Sequence, residues 1–237
     1  MFDKYLVPYE TLTFKKIRLG TKGDGGYVVV DNNLDGYTGL MSLGIDKDIS
    51  FDIDFHEISG GKVHQYDGTI DGPPSLIDGS RFFKKMVYGA DDFTDEDDLG
   101  ERRFLKMDIE GAEWNLLPTM DLTKYEQIAI EIHGKWFKNS FEPLKHLTEH
   151  HNIVHVHGNS CELMPMYYQT QRDMISWIPA SLELTLLRKD IGDFGPNTTT
   201  YPVEGLDYPC DINGRPDWDL SCIVPFIPTE VPRIRVT

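Results

Sequence analysis

Short, nearly continuous apolar runs recur along this chain, and they restrict its fold more than any other feature. Runs of about four to eight residues between polar stretches are typical of strands that are buried on both faces of a parallel sheet. The segments with this pattern predict seven core strands, over Gly39–Leu43, Val63–Tyr66, Phe83–Tyr88, Arg103–Met107, Gln127–Ile132, Ile153–Val156 and Leu182–Leu187.

The stretches between these runs are amphipathic, with spacings that suit helices. They predict helices over Asp48–Ile58, Ala112–Pro118 and Phe141–His150. Alternation of such helices with buried strands is the pattern of an α/β fold around a mostly parallel seven-stranded sheet.

The two ends of the chain are less regular, yet we expect one domain over residues 1–237. Glycine turns followed by Tyr27-Val28-Val29-Val30 predict a hairpin region over residues 1–36, beside a core over residues 37–190. Prolines and threonines predict an extended tail over residues 191–237. A lid over a substrate could come from this tail or from residues 160–179.

The composition of the chain argues against several classes of protein. The chain has a formal charge of −16, which disfavours a nucleic-acid partner. No apolar stretch is long enough to span a bilayer, and the first residues lack the pattern of a secretory signal. Three cysteines, at positions 161, 210 and 222, lack the spacing of a zinc site or a disulfide framework. We therefore expect a cytoplasmic protein without a membrane span.

The loop after the first predicted strand is the first place to expect a ligand, because ligands of parallel sheets bind beyond the carboxyl ends of strands. Gly44 and Ile45 form the turn there, and Asp48 or Ser50 would cap the next helix. The loop lacks G-x-G-x-x-G, the glycine pattern of pyrophosphate binding. It therefore favours a nucleoside without phosphates, although a plain strand-to-helix turn would have the same sequence.

The next two strand ends supply further candidates for holding a nucleoside. Asp67 and Gly68 follow the second strand, where a carboxylate can accept the protons of both ribose hydroxyls. Asp91 follows the third strand, where it would meet the edge of the base. Both positions also fit simpler interpretations, Asp67 as a turn former and Asp91 as part of a solvated acidic run.

The fourth and fifth strand ends carry the residues that we assign to catalysis. Asp108 lies at the tip of the fourth strand, and period two places Glu131 and His133 on one face of the fifth. A neutral histidine near a carboxylate can remove the proton of a hydroxyl group, so His133 is the predicted base. Alternatively, the three residues could hold a divalent ion, although the base is favoured. Glu110 and Glu113 need be no more than helix-start residues.

The sixth strand contributes a pair of histidines. His155 and His157 share a face by period two. They could bind a metal ion or line a pocket for a substrate, and ordinary packing or hydrogen bonding remains the alternative.

These segments together resemble the FkbM-type family of S-adenosylmethionine-dependent methyltransferases over about residues 17–190. The most specific match is the string Leu105-Lys106-Met107-Asp108-Ile109-Glu110-Gly111-Ala112-Glu113. Weaker matches are Asp24-Gly25-Gly26-Tyr27, Ser42-Leu43-Gly44-Ile45 with Asp48-Ile49-Ser50-Phe51, Glu131-Ile132-His133, and His155-Val156-His157-Gly158-Asn159.

The resemblance implies a Rossmann-like fold, S-adenosylmethionine as the methyl donor, and a hydroxyl acceptor on a sugar, a glycan or a glycosylated metabolite. Asp108 would then contact the cofactor as well as the acceptor. In one respect the chain departs from the family, because Gly44 stands alone where many methyltransferases carry two or three glycines.

Two other classes of protein fit parts of the sequence. A non-catalytic carbohydrate-binding or scaffold protein could retain the fold without transferring a methyl group, but Asp108, Glu131 and His133 are all present. A dehydrogenase is disfavoured because G-x-G-x-x-G is absent.

Overall fold

The computed structural model describes residues 5–134, 141–167, 175–210 and 214–220. Its strands are β1 Tyr9–Thr11, β2 Lys16–Leu19, β3 Tyr27–Val30, β4 Gly39–Leu43, β5 Lys62–Tyr66, β6 Arg81–Phe83, β7 Arg103–Met107, β8 Tyr125–His133, β9 His151–Tyr167, β10 Ile175–Arg188 and β11 Phe194–Pro196. Its α-helices are α1 Ser50–Ser59, α2 Glu113–Leu116 and α3 Phe141–Glu149. Short 3₁₀ turns follow β3, β6, α2 and Asp121.

Seven of the strands form one sheet in the order β6-β5-β4-β7-β8-β10-β9. The first five of these are parallel, whereas β10 runs antiparallel to both of its neighbours, β8 and β9. The predicted mostly parallel seven-stranded sheet is therefore confirmed. Strand β4 has β5 on one side and β7 on the other, so the chain order reverses there and leaves a crevice at the carboxyl end of β4.

The predicted elements match the structure best in the middle of the sheet. Strands β4 and β7 have the predicted bounds, and β5 and β8 extend the predicted runs by a few residues. Helix α1 begins two residues later than predicted, at Ser50, whose N–H donates to Asp48 at 2.8 Å. It ends at Gly60, which has a φ of 62° and so takes the left-handed conformation common after helices.

Three predicted boundaries are wrong. The predicted strand Phe83–Tyr88 is instead the edge strand β6, which ends at Phe83 because Lys84 and Tyr88 are exposed and the chain leaves the sheet. Strands β9 and β10 extend well beyond the predicted runs Ile153–Val156 and Leu182–Leu187. Their extra residues include buried polar side chains, so hydrophobicity alone did not mark them.

The terminal regions pack against the sheet. In the N-terminal region β2 pairs with β3 antiparallel. The tail contributes β11, which pairs with β1, and it buries Tyr201 and Cys210. The predicted lid over 160–179 coincides in part with the ends of β9 and β10, and its residues 168–174 lie outside the described chain. Residues 211–213 and 221–237 of the predicted tail also lie outside it.

Two apolar layers hold the sheet. On one side Phe104 of β7 packs against Tyr37, Phe51 and Phe55, with ring centroids 5.6–5.9 Å apart. The other layer includes Leu43, Met107 and Ile130, all fully buried. This packing fixes the strand ends from which the functional side chains project. Within the described residues, no helix is long and apolar enough to cross a bilayer.

Candidate functional site

A cavity of about 410 Å³ lies at the carboxyl ends of β4, β5 and β7, where the strand order reverses. Six of the predicted cofactor-binding residues line it, namely Gly44, Ile45, Asp48, Asp67, Gly68 and Asp108. The cavity volume falls within the range of about 300–1,000 Å³ that is typical of small-molecule sites. Most of the residues predicted from the strand ends therefore line a cavity large enough for a small molecule.

Gly44 makes the close approach of two loops possible. Its φ is 74°, and a Cβ atom at this position would overlap the carbonyl oxygen of Asp108. The buried Lys106 ties the same loop down, because its Nζ donates to the carbonyl oxygen of Gly44 at 2.5 Å. Gly44 thus joins the β4 loop to the Asp108 turn beside the cavity.

Asp67 is held firmly at the end of β5. Its Oδ2 accepts the N–H groups of Ile45 at 3.1 Å and Asp46 at 3.0 Å, and its Oδ1 accepts both the N–H and the hydroxyl of Thr69. Burial raises the pKa of Asp67, but these hydrogen bonds outweigh it and leave the pKa below its usual value. Asp67 is therefore an ionised acceptor at the wall of the cavity.

Two of the predicted cofactor residues lie elsewhere. Ser50 supports the hairpin instead, because its Oγ accepts the N–H of Thr21 at 3.0 Å. Asp91 lies in an exposed 3₁₀ turn and does not line the cavity, since the chain leaves the sheet earlier than predicted. After β6, the segment Lys85–Val87 forms part of the cavity wall in place of Asp91.

The turn after β7 is held by Glu113. This fully buried carboxylate accepts the N–H of Gly111 at 2.8 Å and the N–H of His133 at 2.6 Å. Trp114 adds a bond from its ring N–H to the carbonyl oxygen of His133 at 2.9 Å. Glu113 is thus more than a helix-start residue, because it joins the β7 turn to the end of β8.

Glu110 differs from Glu113, although both are acids of the same turn. Its φ is 55°, an uncommon conformation for a residue with a side chain. Its carboxylate is 87% exposed and lies 3.5 Å from His133 Nε2.

His133 is surrounded by carboxylates, as the sequence predicted for Asp108 and Glu131. Its Nε2 lies 3.8 Å from Asp108 Oδ1 and 3.6 Å from Glu131 Oε1, and its Nδ1 lies 3.4 Å from Glu113 Oε1. Burial lowers the pKa of His133, but the contact with Glu113 and the negative charges of Glu131 and Asp108 outweigh it and raise the pKa to about 9. The surrounding carboxylates thus favour the protonated ring, whereas the predicted base requires the neutral form.

Asp108 connects this cluster to the cavity. It lines the cavity wall, its Oδ1 faces His133, and its Oδ2 accepts a hydrogen bond from the hydroxyl of Tyr27 at 3.3 Å. Tyr27 comes from the hairpin strand β3. Asp108 therefore lies between the cavity and the cluster around His133.

Glu131 is part of a buried polar row across three strands. It lies opposite Glu183 of β10, which in turn lies opposite His157 of β9, so all three side chains share one face of the sheet. Its Oε1 accepts from Asn159 at 2.9 Å and from Ser181. Burial and the charges of Asp108 and Glu183 raise the pKa of Glu131 well above its usual value.

The two histidines of β9 have carboxylate partners rather than a place in the cavity wall. His155 Nε2 lies 2.8 Å from Asp207, and His157 lies 2.9 Å from both Glu183 and Asp217. The hydrogen-bonding alternative for this pair therefore describes the structure. These contacts join the tail to the sheet.

Sequence reasoning missed several residues of the site. Lys106 lies inside an apolar run, and the sequence assigns no site role to Asp24 or Tyr27, although both belong to a weaker match to the family. Asp24 and Lys106 both line the cavity. The signal for Asp24 and Tyr27 was the segment Asp24-Gly25-Gly26-Tyr27, which belongs to the family resemblance.

The comparisons with known proteins identify a family. The family model described as "Methyltransferase FkbM domain" matches residues 24–161, more than half of the chain. That range runs from Asp24, through the cavity and the carboxylate cluster, to Cys161. No curated protein matches the chain.

Among solved structures, the chain is similar to a protein of bluetongue virus, VP4, whose structure is described as a multifunctional RNA-capping production line. The identity is 13% and the TM-score 0.34, over 79% of this chain and 30% of the viral chain. The chain thus spans less than a third of that protein. The family match stands independently of this similarity, and on that match the chain belongs to the family of the FkbM methyltransferase domain.

Proposed function

We propose that this protein is an S-adenosylmethionine-dependent O-methyltransferase that methylates a hydroxyl group of a sugar or glycan. One observation carries the proposal. The cavity at the switch point of the sheet and the cluster around His133 share Asp108, so a bound nucleoside and an acceptor would meet at this residue. The family of the chain supports methyl transfer as the reaction.

The cavity offers a partner for each part of the cofactor. Asp67 would hold the ribose through Oδ1, in place of its bond to the Thr69 hydroxyl. The apolar side chains of Met86 and Val87 would contact the adenine. Lys106 would bind the carboxylate of the methionine part, and Asp24 its ammonium group.

Methyl transfer needs alignment of the acceptor and removal of its proton. When bound, S-adenosylmethionine would supply the methyl group, whose bond to the sulfonium sulfur would break as the bond to the acceptor oxygen forms, leaving S-adenosylhomocysteine. Asp108, Glu131 and His133 are the residues we assign to activation of the acceptor hydroxyl. His133 must be neutral to take part, either as a base or as a metal ligand, and added positive charge in the site would favour its neutral form.

A polyhydroxyl acceptor suits the groups beside this cluster. Glu131 and Glu183 present carboxylates, and Asn159 presents an amide, all on one buried face of the sheet. Each of these groups is already hydrogen-bonded within the protein, so a sugar would pair with them by replacing those partners. This chemistry favours a sugar over an acceptor with a single hydroxyl.

Calorimetry with S-adenosylhomocysteine tests the first half of the proposal. We expect saturable binding to the full chain, weakened in Asp67→Asn and unchanged in Asp71→Asn, because Asp71 is an exposed acid outside the cavity wall. Circular dichroism would check that both variants fold. Absence of binding to the folded wild-type protein would refute the cofactor assignment.

Transfer of a labelled methyl group to a panel of sugars and glycans tests the second half. Incorporation into a hydroxyl group is the expected result. The competing hypothesis, a non-catalytic carbohydrate-binding protein, predicts that glycans bind but no label is transferred.

A further inference from the structure

The spacing inside the cluster around His133 differs from that of a hydrogen-bonded network. The Nε2 atom lies 3.8 Å from Asp108 Oδ1 and 3.6 Å from Glu131 Oε1. Hydrogen bonds between nitrogen and oxygen span about 2.7–3.2 Å, so neither contact is one. When oxygen and nitrogen atoms each lie about 2.1 Å from one shared cation, the atoms lie roughly 3–4 Å from one another. The three ligand atoms all lie within 4.8 Å of one another.

Asp108 presents an oxygen without a hydrogen-bond partner to this space. Its Oδ2 is engaged by Tyr27, but its Oδ1 is buried and makes no hydrogen bond with any described residue. A buried polar atom that lacks a partner is costly unless another group completes its contacts. Oδ1 is the atom that faces His133.

The orientation of His133 supports the same interpretation. Nδ1 faces the buried Glu113 at 3.4 Å, while Nε2 faces Asp108 and Glu131. In metal sites, a histidine ligand commonly turns its second nitrogen toward a carboxylate, which fixes the ring. Asn159 and Ser181 both donate to Oε1 of Glu131, the same atom that faces His133, and so fix its position.

We infer that Asp108, Glu131 and His133 form a binding site for a divalent cation between the cofactor cavity and the acceptor. Two carboxylates and one imidazole suit Mn²⁺ or Mg²⁺. The inference rests on the proposed function and refines it, because a hydroxyl group bound to the cation would release its proton to water more readily. His133 would then serve as a ligand rather than as the base.

Mn²⁺ is a direct probe, since its binding can be followed by electron paramagnetic resonance and calorimetry without any turnover. We expect one equivalent to bind the 237-residue chain, with and without S-adenosylhomocysteine. Glu131→Gln and Asp108→Asn should each weaken binding by more than about tenfold, because even outer-shell changes cost about 10–100-fold. Asp97→Asn is the matched control, since Asp97 lies in a separate exposed acidic cluster.

Saturable Mn²⁺ binding that is lost in the two variants, but kept in the control, would support the site. If Mn²⁺ fails to bind the folded wild-type protein, or binds equally well to folded Glu131→Gln and Asp108→Asn, the site does not exist. Two variants are used because Glu131 is buried, whereas Asp108 is partly exposed. If S-adenosylhomocysteine, the cofactor analogue, binds while Mn²⁺ does not, the cation inference fails and the proposed function stands. If the analogue itself does not bind, the proposed function fails.

Discussion

The carboxylate of Glu113 accepts the backbone N–H of His133 at 2.6 Å, so the first residue of α2 holds the last residue of β8. The same carboxylate accepts the N–H of Gly111, which lies in the turn after β7. One buried side chain therefore fixes two neighbouring strand ends, and with them the relative positions of Asp108 and His133.

Loss of the Glu113 carboxylate should destabilise the protein. In Glu113→Ala, two N–H groups would lose their acceptor, at a cost of about 1–3 kcal/mol for each one that stays buried. Glu113→Gln keeps one acceptor oxygen and should cost less. Urea unfolding measures the difference, with Glu110→Ala as the control because Glu110 is 87% exposed. Equal stability of Glu113→Ala and Glu110→Ala would contradict the assigned role.

Gly44→Ala should damage both folding and cofactor binding. The φ of 74° disfavours any residue with a Cβ atom, and the new atom would overlap the carbonyl oxygen of Asp108. We expect a loss of more than about 1 kcal/mol in the free energy of unfolding, together with weaker binding of S-adenosylhomocysteine. Gly72→Ala serves as the control, since a Cβ atom there meets no atom within 4 Å. Wild-type affinity in a stable Gly44→Ala variant would show that the β4 loop does not contact the cofactor.

His133→Asn should lower turnover while leaving cofactor affinity unchanged, because His133 adjoins the cavity wall without being part of it. Whether His133 binds the cation or removes the proton itself, its loss impairs deprotonation of the acceptor hydroxyl, which typically contributes about 10²–10⁴-fold to the rate. The measurement is single-turnover transfer of labelled methyl groups to the acceptor found in the sugar panel. The exposed His150→Asn is the control. Full activity in His133→Asn would remove the residue from the reaction.

Sequence reasoning found the parts of the site that lie at strand ends. Gly44, Asp67 and Asp108 each follow an apolar run, and parallel strands bring such positions together at one edge of the sheet. Glu131 and His133 were paired by period two, and the structure places them in one cluster.

Other parts of the site left little local signal. Glu183 and Asn159 lie on strands β10 and β9, whose buried face is polar, so hydrophobic periodicity did not reveal the length of these strands. Lys106 was concealed because a lysine inside an apolar run gives no indication that its ammonium group reaches Gly44. The protonation of His133 depends on charges from several strands, and these meet only in the folded chain.

His151 should make the protein less stable in mild acid. This buried ring donates from Nε2 to the carbonyl oxygen of Tyr125 at 2.8 Å, and its Nδ1 has no hydrogen-bond partner among the described residues. The pKa of His151 is lowered to about 4, mainly by burial and also by the positive charges of Arg188 and His150. The hydrogen bond to Tyr125 and the negative charge of Asp190 raise the pKa, but by less. An unfolded histidine has a pKa of about 6.5, so between these values the unfolded chain binds the extra proton.

Above about pH 6.5, neutral His151 therefore makes its full contribution to the free energy of unfolding. This contribution, at most about 3 kcal/mol, is lost as the pH falls toward 4. His151→Gln can still donate to Tyr125 but does not titrate, so its stability should fall less steeply over this window. Urea unfolding at a series of pH values measures both slopes. His64 and His155 also have lowered pKa values, because burial disfavours their charged forms, so some acid sensitivity should remain in the variant. Parallel slopes for the wild type and His151→Gln would show that His151 is not held neutral by the fold.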